Sequence, residues 1–414
     1  MKNKHLSSWY IIDELNKHKL TSRIYPFLKK HIKRGDFSFS SLLIPSPIET
    51  NEGRKRLNII LPSLRKSNVF GGINTALSFF EDLIEKTKFA GRIIINEKES
   101  LDPNLTIDVS KYKKRGISIH FLNDSLDISV SENDYFLFTT WKSAFVFNKV
   151  VDWQEKVYSK AFRSIYLIQD YEPGFVAWST EFALAESTYK INSDRIIAVF
   201  NSKQLYDYFK FNGYSFYKEY YFKPNLNLKL KNNLVKLKKF PKREKLIIVY
   251  GRPNAPRNAF ELLKESLSLW SQNYPTASDW RILSIGAPNS NIKLANNLIE
   301  CKGKLTLQEY SSLMMKAYAG ISLMISPHPS YPPLEMSTYG VKTITNDFMN
   351  KHMNGFNSNL YSVSTCLPEV IAEKLTKICE TYDGKGLPDL NEEYLNGNDF
   401  KKVTDQVAKD LLKI

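Results

Sequence analysis

From about residue 57 onward, short apolar runs alternate with stretches whose apolar positions recur every three or four residues. That alternation is the βα rhythm of a parallel sheet, whose buried strands read as nearly continuous aliphatic runs. It predicts strands at Leu57–Leu61, Arg92–Ile95, Ile117–Phe121, Tyr135–Thr139, Ile165–Gln169 and Ile196–Phe200, with helices near Asn74–Glu85 and Lys203–Phe211. Residues 229–245 (KLKNNLVKLKKFPKREK), punctuated by Pro241, interrupt the rhythm and read as a linker. A second series then predicts strands at Leu246–Tyr250, Trp280–Ile285, Ile321–Ile325 and Thr343–Thr345, with helices at Asn258–Trp270, Leu307–Tyr318 and Pro333–Tyr339. Two helical patterns close the chain, near Pro368–Tyr382 and Asp399–Leu412. The expected class is α/β, with two Rossmann-like, doubly wound domains facing a cleft. Residues 1–50 are expected to form a basic arm, 51–235 the first domain, 236–395 the second and 396–414 a terminal helix. Ligands in such sheets bind beyond the carboxyl ends of the strands, so the chemistry is sought just after each one.

Composition narrows the partners. A chain of 414 residues with 43% apolar and 13% aromatic side chains can bury two cores, which excludes a disordered or fibrous protein. No apolar run approaches the roughly 20 residues that span a bilayer, and the first residues lack the apolar core of a signal peptide. The cysteines Cys301, Cys366 and Cys379 are odd in number and lack metal-ligand spacing, which suits reduced thiols in the cytoplasm. Lys and Arg exceed Asp and Glu by 58 to 43, a net +15. Residues 1–56 hold 12 basic against 5 acidic side chains and residues 229–245 hold 8 against 1, so these two segments carry +14 of that charge. A nucleic-acid enzyme spreads such residues along a groove, so nucleic acid is not an expected partner. Concentrated patches suit the anionic inner face of a plasma membrane, at about 1 kcal/mol per basic residue, or are simply solvated.

Four segments carry candidate chemistry. After the first strand, PSLRKSNVFGGINTALSFF places Gly71 and Gly72 where the backbone must turn tightly, with Asn74 or Thr75 able to cap the following helix. It is not the GxGxxG dinucleotide fingerprint. In IQDYEPGFVAW, Gln169, Asp170, Tyr171 and Glu172 gather an amide, a phenol and two carboxylates at a strand end. These carboxylates could orient sugar hydroxyls, serve as general base, cap a helix or pair with an arginine. In VYGRPNAPRNAFELL, Arg252 and Arg257 flank the approach to a helix, and two guanidiniums beside a helix N-terminus make an anion site. In MISPHPSYPPLEMSTYG, four prolines within seven residues stiffen a loop that carries His328, Ser330 and Tyr331 and puts Glu335 in the first turn of a helix. There is no Asp-x-Asp pair, Walker A sequence or HExxH, so no metal or cofactor is expected and the arginines must neutralise an anion themselves.

Taken together, PSL…FGGINTAL, YLIQDYEPGF…EFALAESTY, YGRP…RNAFELL and PHPSYPPLEMSTYG…TITND resemble the glycosyltransferases of family 4, and among them the WsaF-type rhamnosyltransferases of bacterial surface-glycan synthesis. The resemblance runs from about Leu57 to the C-terminus. It implies the GT-B fold with an N-terminal helical arm and a terminal helix crossing back to the first domain. It implies a nucleotide-sugar donor held mainly by the second domain and a lipid-linked or oligosaccharide acceptor approaching from the first. It also implies retention at the anomeric carbon without a metal, and dTDP-L-rhamnose as donor. By this resemblance Gly71 and Gly72 line the cleft near the donor phosphates, and Arg252 takes the diphosphate. Arg257 stands where most members have Lys, and Glu335, the second Glu of an E-x7-E pattern, holds the ribose. The first Glu of that pattern is Pro327 here, so His328, Ser330 and Tyr331 are candidates to hold the sugar. Gln169–Asp170 stands where members commonly place a His. Asp170, Glu172, Arg252 and Arg257 are the candidate catalytic residues, and Gln169, Asp170, Tyr171 and Glu172 the acceptor contacts. A nucleotide-sugar epimerase and a non-catalytic saccharide-binding protein of the same fold remain alternatives, as do UDP- and GDP-linked donors.

Overall fold

In a computed structural model, residues 37–65, 71–97, 108–160, 163–236 and 241–413 are described. Most of the expected basic arm, residues 1–36, lies outside them. Apolar continuity decides the core of the first domain: all six positions of Arg56–Leu61 are buried. Leu57, Ile59 and Leu61 face one hydrophobic cluster while Ile60 faces another, the period-two alternation of a strand covered on both sides. The first-domain strands are β1 (Ser46–Glu49), β2 (Arg56–Leu61), β3 (Ala90–Ile95), β4 (Ser118–Phe121), β5 (Asp127–Val130), β6 (Asp134–Phe138), β7 (Ser164–Ile168), β8 (Ile196–Phe200) and β9 (Lys218–Tyr221). Seven of them form a wholly parallel sheet in the order β4-β3-β2-β6-β7-β8-β9, and β1 pairs with β5 as a separate two-stranded ribbon.

The second domain adds β10 (Glu244–Gly251), β11 (Arg281–Gly286), β12 (Ile292–Lys293), β13 (Leu298–Gly303), β14 (Ala317–Ile321), β15 (Lys342–Asn346) and β16 (Leu360–Val363). Their order is β12-β13-β11-β10-β14-β15-β16, parallel except for β12. The helices are α1 (Gly72–Thr87), α2 (Ser110–Lys114), α3 (Trp141–Tyr158), α4 (Thr180–Ser187), α5 (Lys203–Phe211), α6 (Leu228–Val235), α7 (Phe260–Asn273), α8 (Leu307–Lys316), α9 (Tyr331–Thr338), α10 (Pro368–Glu380), α11 (Glu392–Asn396) and α12 (Asp399–Leu412). Val403, Val407 and Leu411 of α12 enter the first domain's core beside Phe79 and Leu83 of α1. The chain therefore ends on the domain in which it began, and Lys86 pins the contact by bridging Asp82 and Asp405 at 2.8 Å each. Among the described residues no helix is long and apolar enough to cross a membrane.

Two expectations change. The basic run 229–245 is not a plain linker, because α6 occupies its first half. Leu226, Leu230 and Leu234 recur at helical spacing and bury against Ile248 and Met336 of the second domain. Lysines dominate the run's charge, but the leucine stripe decides its packing. The strand expected at Ile321–Ile325 lies earlier, at Ala317–Ile321. Leu323, Met324 and Ile325 resume the apolar pattern after the single Ser322, so pattern alone does not end the strand at Ile321. The side chain of Asn346 does: its Oδ1 accepts from the Met324 N–H at 2.7 Å and its Nδ2 donates to the Met324 carbonyl at 3.1 Å, drawing the chain out of the ladder.

Candidate active site

The carboxyl ends of both sheets meet at one cleft. On the first-domain side, α1 begins immediately after a turn at Gly71, whose φ of 42° lies in the left-handed region that glycine adopts without strain. A Cβ at Gly72 would come 3.2 Å from Gln169 Oε1, so glycine lets the start of α1 approach the Gln169 side chain without displacing it. Gly72 and Gln169 line a depression of about 180 Å³ together with Thr139, Asp170, Glu172 and Phe175.

Asp170 is buried and touches both domains. Its Oδ1 accepts the Tyr171 N–H at 2.9 Å and the hydroxyl of Ser326 from the second domain. Its Oδ2 lies 3.9 Å from Arg257 Nε. Burial raises its pKa, and Ser326, Arg257 and Lys351 oppose that rise. Glu172 accepts the Trp141 N–H at 2.9 Å, at the N-terminus of α3. Burial nevertheless pushes its carboxyl up to about 8, and the charge of Asp170 adds to the shift. Tyr171 does not face the cleft. Its ring stacks on Tyr189 and its hydroxyl meets that of Tyr214 at 3.3 Å, so it belongs to the aromatic core and not with its polar neighbours. The side chains of successive residues point apart, and this one takes the inner side.

The second domain supplies the cations. Arg252 lies just beyond β10, and its charge opposes the rise that burial imposes on the Tyr250 hydroxyl. The guanidinium of Arg257 lies 4.0 Å from the centre of the Phe175 ring, a cation–π contact across the cleft. Its Nε has no hydrogen-bond partner among the described residues. Burial lowers the Arg257 pKa; Asp170 opposes this and Arg252 reinforces it. Two guanidiniums that disfavour each other in a partly buried site are poised for an anion.

The proline-rich loop between β14 and α9 is strained: Ser330 has φ 69° and ψ 146°, a region an L-residue rarely occupies. His328 is only 4% exposed, and its Nδ1 accepts the Ser330 N–H at 3.0 Å. Nε2 is therefore the protonated nitrogen, and this donor has no partner among the described residues. Burial, then the charges of Lys351 and Arg257, depress the His328 pKa to about 3, so the ring is a neutral donor and not a titrating acid. Tyr331 reaches across to Thr75 of α1, and burial holds its hydroxyl at about 12. Glu335 is not in the first turn of α9 as expected but in the second, because the helix already begins at Tyr331. Burial lifts it to about 7 and Tyr310 opposes that rise.

Two lysines escaped the motif search. Lys304 follows Gly303 at the end of β13 and feels the charge of Arg252, which together with burial lowers its pKa. The strand-end rule would have found it had β13 been recognised. Lys351 is wholly buried, donates to the Met324 carbonyl and is lowered to about 8 by burial, with Asp170 the main opposing charge. No sequence signal marked it, because its neighbours NDFMNKHM follow no pattern.

Models of the N-terminal and C-terminal domains of WsaF match residues 56–203 and 245–376. The O-antigen biosynthesis protein RfbC of Myxococcus xanthus is 32% identical over 183 residues, covering 44% of this chain but only 14% of that protein. Among solved structures, an α,α-trehalose-phosphate synthase (UDP-forming) from Burkholderia vietnamiensis superposes with a TM-score of 0.53 at 10% identity, covering 87% of this chain and 100% of that one. TarM gives 0.52 at 9% identity, over 87% and 95%. The sucrose-phosphate synthase of Thermosynechococcus elongatus gives 0.50 at 11%, over 87% and 97%. At such identities the likeness establishes the architecture, which is GT-B.

Proposed function

This chain belongs to the WsaF family of GT-B glycosyltransferases, and on that premise we propose that it transfers L-rhamnose from dTDP-L-rhamnose to a growing bacterial surface polysaccharide. The observation that carries this reading is the opposition of Arg257 and Asp170 across the cleft, 3.9 Å apart. One domain offers cations for a leaving diphosphate and the other offers carboxylates for hydroxyls. Breaking the bond between the anomeric carbon and the diphosphate oxygen leaves negative charge on that oxygen. Arg252, Arg257 and Lys304 meet this charge, so no metal is required. Glu335 orients the ribose, and the His328 Nε2–H, a fixed neutral donor, takes a sugar hydroxyl in place of the carboxylate that Pro327 cannot supply. Asp170 and Glu172 orient the acceptor hydroxyl, Asp170 as proton acceptor, and the sugar is transferred with retention. The match to an O-antigen biosynthesis protein supports a surface glycan as product. Pro327, where family 4 carries a Glu, favours the second reading, a saccharide-binding protein without turnover.

A thermal-shift panel of dTDP-, UDP- and GDP-linked sugars on wild type and Arg257→Ala tests this. A ligand at 100 times its dissociation constant stabilises by about 2.7 kcal/mol. The expected result is stabilisation by dTDP and dTDP-L-rhamnose that Arg257→Ala abolishes. A response to UDP sugars alone discards rhamnose and keeps the transferase; silence across the panel overturns both.

A further inference from the structure

One aromatic pair has no role in the donor chemistry. Trp178 is 92% exposed, far more than a side chain of its size normally is, and its ring stacks on that of Phe182 with centroids 5.7 Å apart and planes 15° from parallel. The pair is held from beneath. Ser179 caps α4 by accepting the Phe182 N–H at 3.3 Å, which fixes the turn that presents both rings. It is also joined to the cleft. Three residues earlier, Phe175 lines the depression with Asp170 and Glu172 and lies under Arg257. Three residues reach at most about 11 Å, so the two rings stand at the rim of the cleft on the carboxylate side.

We infer that Trp178 and Phe182 form a stacking ledge for the acceptor saccharide, the next ring or rings beyond the one that receives the sugar. This deepens the function proposed above and rests on it for the identity of the acceptor. A pyranose has an apolar C–H face that fits a flat, exposed aromatic ring, while its edge hydroxyls need acceptors. Residues 170–189 carry Asp170, Glu172, Glu181 and Glu186 and no Lys or Arg. Glu186 is already held by Lys190 and the Tyr214 hydroxyl, which leaves Glu181, beside Phe182 in the first turn of α4, as the acceptor next to the rings and Asp170 and Glu172 as those in the cleft. The same count argues against an anionic bilayer as the occupant, because a membrane-contacting aromatic works with basic neighbours and this one has acidic neighbours.

The test is saturation-transfer NMR with methyl α-L-rhamnoside, methyl β-D-glucoside and methyl β-D-galactoside, without donor, on wild type, Trp178→Ala and Trp178→Phe. Wild type is expected to saturate the C–H protons of one ring face of at least one glycoside. Trp178→Ala should weaken that binding by about tenfold and Trp178→Phe should recover most of it, with the unfolding midpoint unchanged in both. Equal transfer in wild type and Trp178→Ala, or none from any glycoside to wild type, overturns the ledge. So does loss of binding to phosphatidylglycerol vesicles in Trp178→Ala with glycoside binding intact, which would assign the rings to a membrane. Stabilisation by dTDP-L-rhamnose, measured on the same variants, should persist in all three. Its absence in wild type is a failure of the donor reading and leaves the glycoside result to stand or fall alone.

Discussion

The two domains bring similar sheets to one cleft and give it opposite charge. At the end of β7 the first domain places Asp170 and Glu172, carboxylates that burial drives toward the neutral form. Around β10, β13 and β15 the second places Arg257, Lys304 and Lys351, cations that burial likewise drives toward neutrality. Each face is unfavourable alone, and each supplies the charge the other lacks, through the Arg257–Asp170 approach and the influence of Lys351 on Asp170. The site is therefore a property of the pair of domains and exists in neither one separately. The sharpest way to break this picture is Asp170→Asn, which keeps the shape and can still bond to Ser326 but removes the charge. Turnover should fall by about 10²- to 10⁴-fold while stabilisation by nucleotide sugar persists. A loss of less than about threefold would mean that the acidic face has no part in the chemistry.

Away from the cleft the domains differ again, in how they keep a buried guanidinium. In the first, Asp134 is fully buried and accepts from Arg56 Nε at 2.6 Å and Asn58 Nδ2 at 2.8 Å, and Arg92 donates to Asn58 and to the Ser129 carbonyl. In the second, Arg243 is 1% exposed and donates to the carbonyls of Met314, Ala317, Tyr339 and Gly386, with no carboxylate partner among the described residues. Burial lowers it to about 10. The contrast predicts unequal costs. Asp134→Ala leaves buried Arg92 without a carboxylate and Arg56 with Glu52 alone, and should cost about 3–5 kcal/mol in urea unfolding. Arg243→Met leaves carbonyls unpaired but removes an uncompensated charge, so about 1–3 kcal/mol is expected. The reverse order would show that the carbonyl cage, and not the ion pair, is the stronger device.

Sequence patterning resolved what depends on local periodicity. The central strands β2, β7 and β8, the helices α5 and α12 and the strand ends before three of the four motifs were legible, because buried parallel strands and amphipathic helices leave strong signatures. The strand before the proline-rich motif ends four residues earlier than its pattern suggests. Short edge strands such as β9 and β12 were not, since their half-exposed residues carry little contrast. The site divides the same way. Asp170, Glu172, Arg252 and Arg257 stood out by residue type just beyond strand ends, and Glu335 by the proline-led helix that carries it, although it lies one turn further in than expected. Lys351 did not, because only the long-range folding of the loop after β15 buries it against Met324. Tyr171 was misplaced because adjacency in sequence says nothing about which side of the chain a ring takes.

The smallest expected effect tests whether burial alone sets the acidic face. Glu172 is raised from 4.5 to about 8 in the folded protein. A carboxyl raised in this way adds stability that is complete below its unfolded pKa and is lost as pH rises through the folded one. Glu335, raised to about 7, acts in the same direction, whereas His328, depressed to about 3, adds stability that is present above its unfolded pKa and lost as pH falls. Glu172→Gln keeps the shape and the acceptor for the Trp141 N–H but cannot ionise. Wild type should therefore lose stability relative to the variant between about pH 5 and about pH 9, by an amount on the order of 1–2 kcal/mol once partial exposure and the helix N-terminus are allowed for. Urea unfolding at the two ends of that range measures it. Curves that run parallel would mean Glu172 is ionised throughout, held by α3 and by cations from the opposite domain, and that the charge opposition across the cleft outweighs burial.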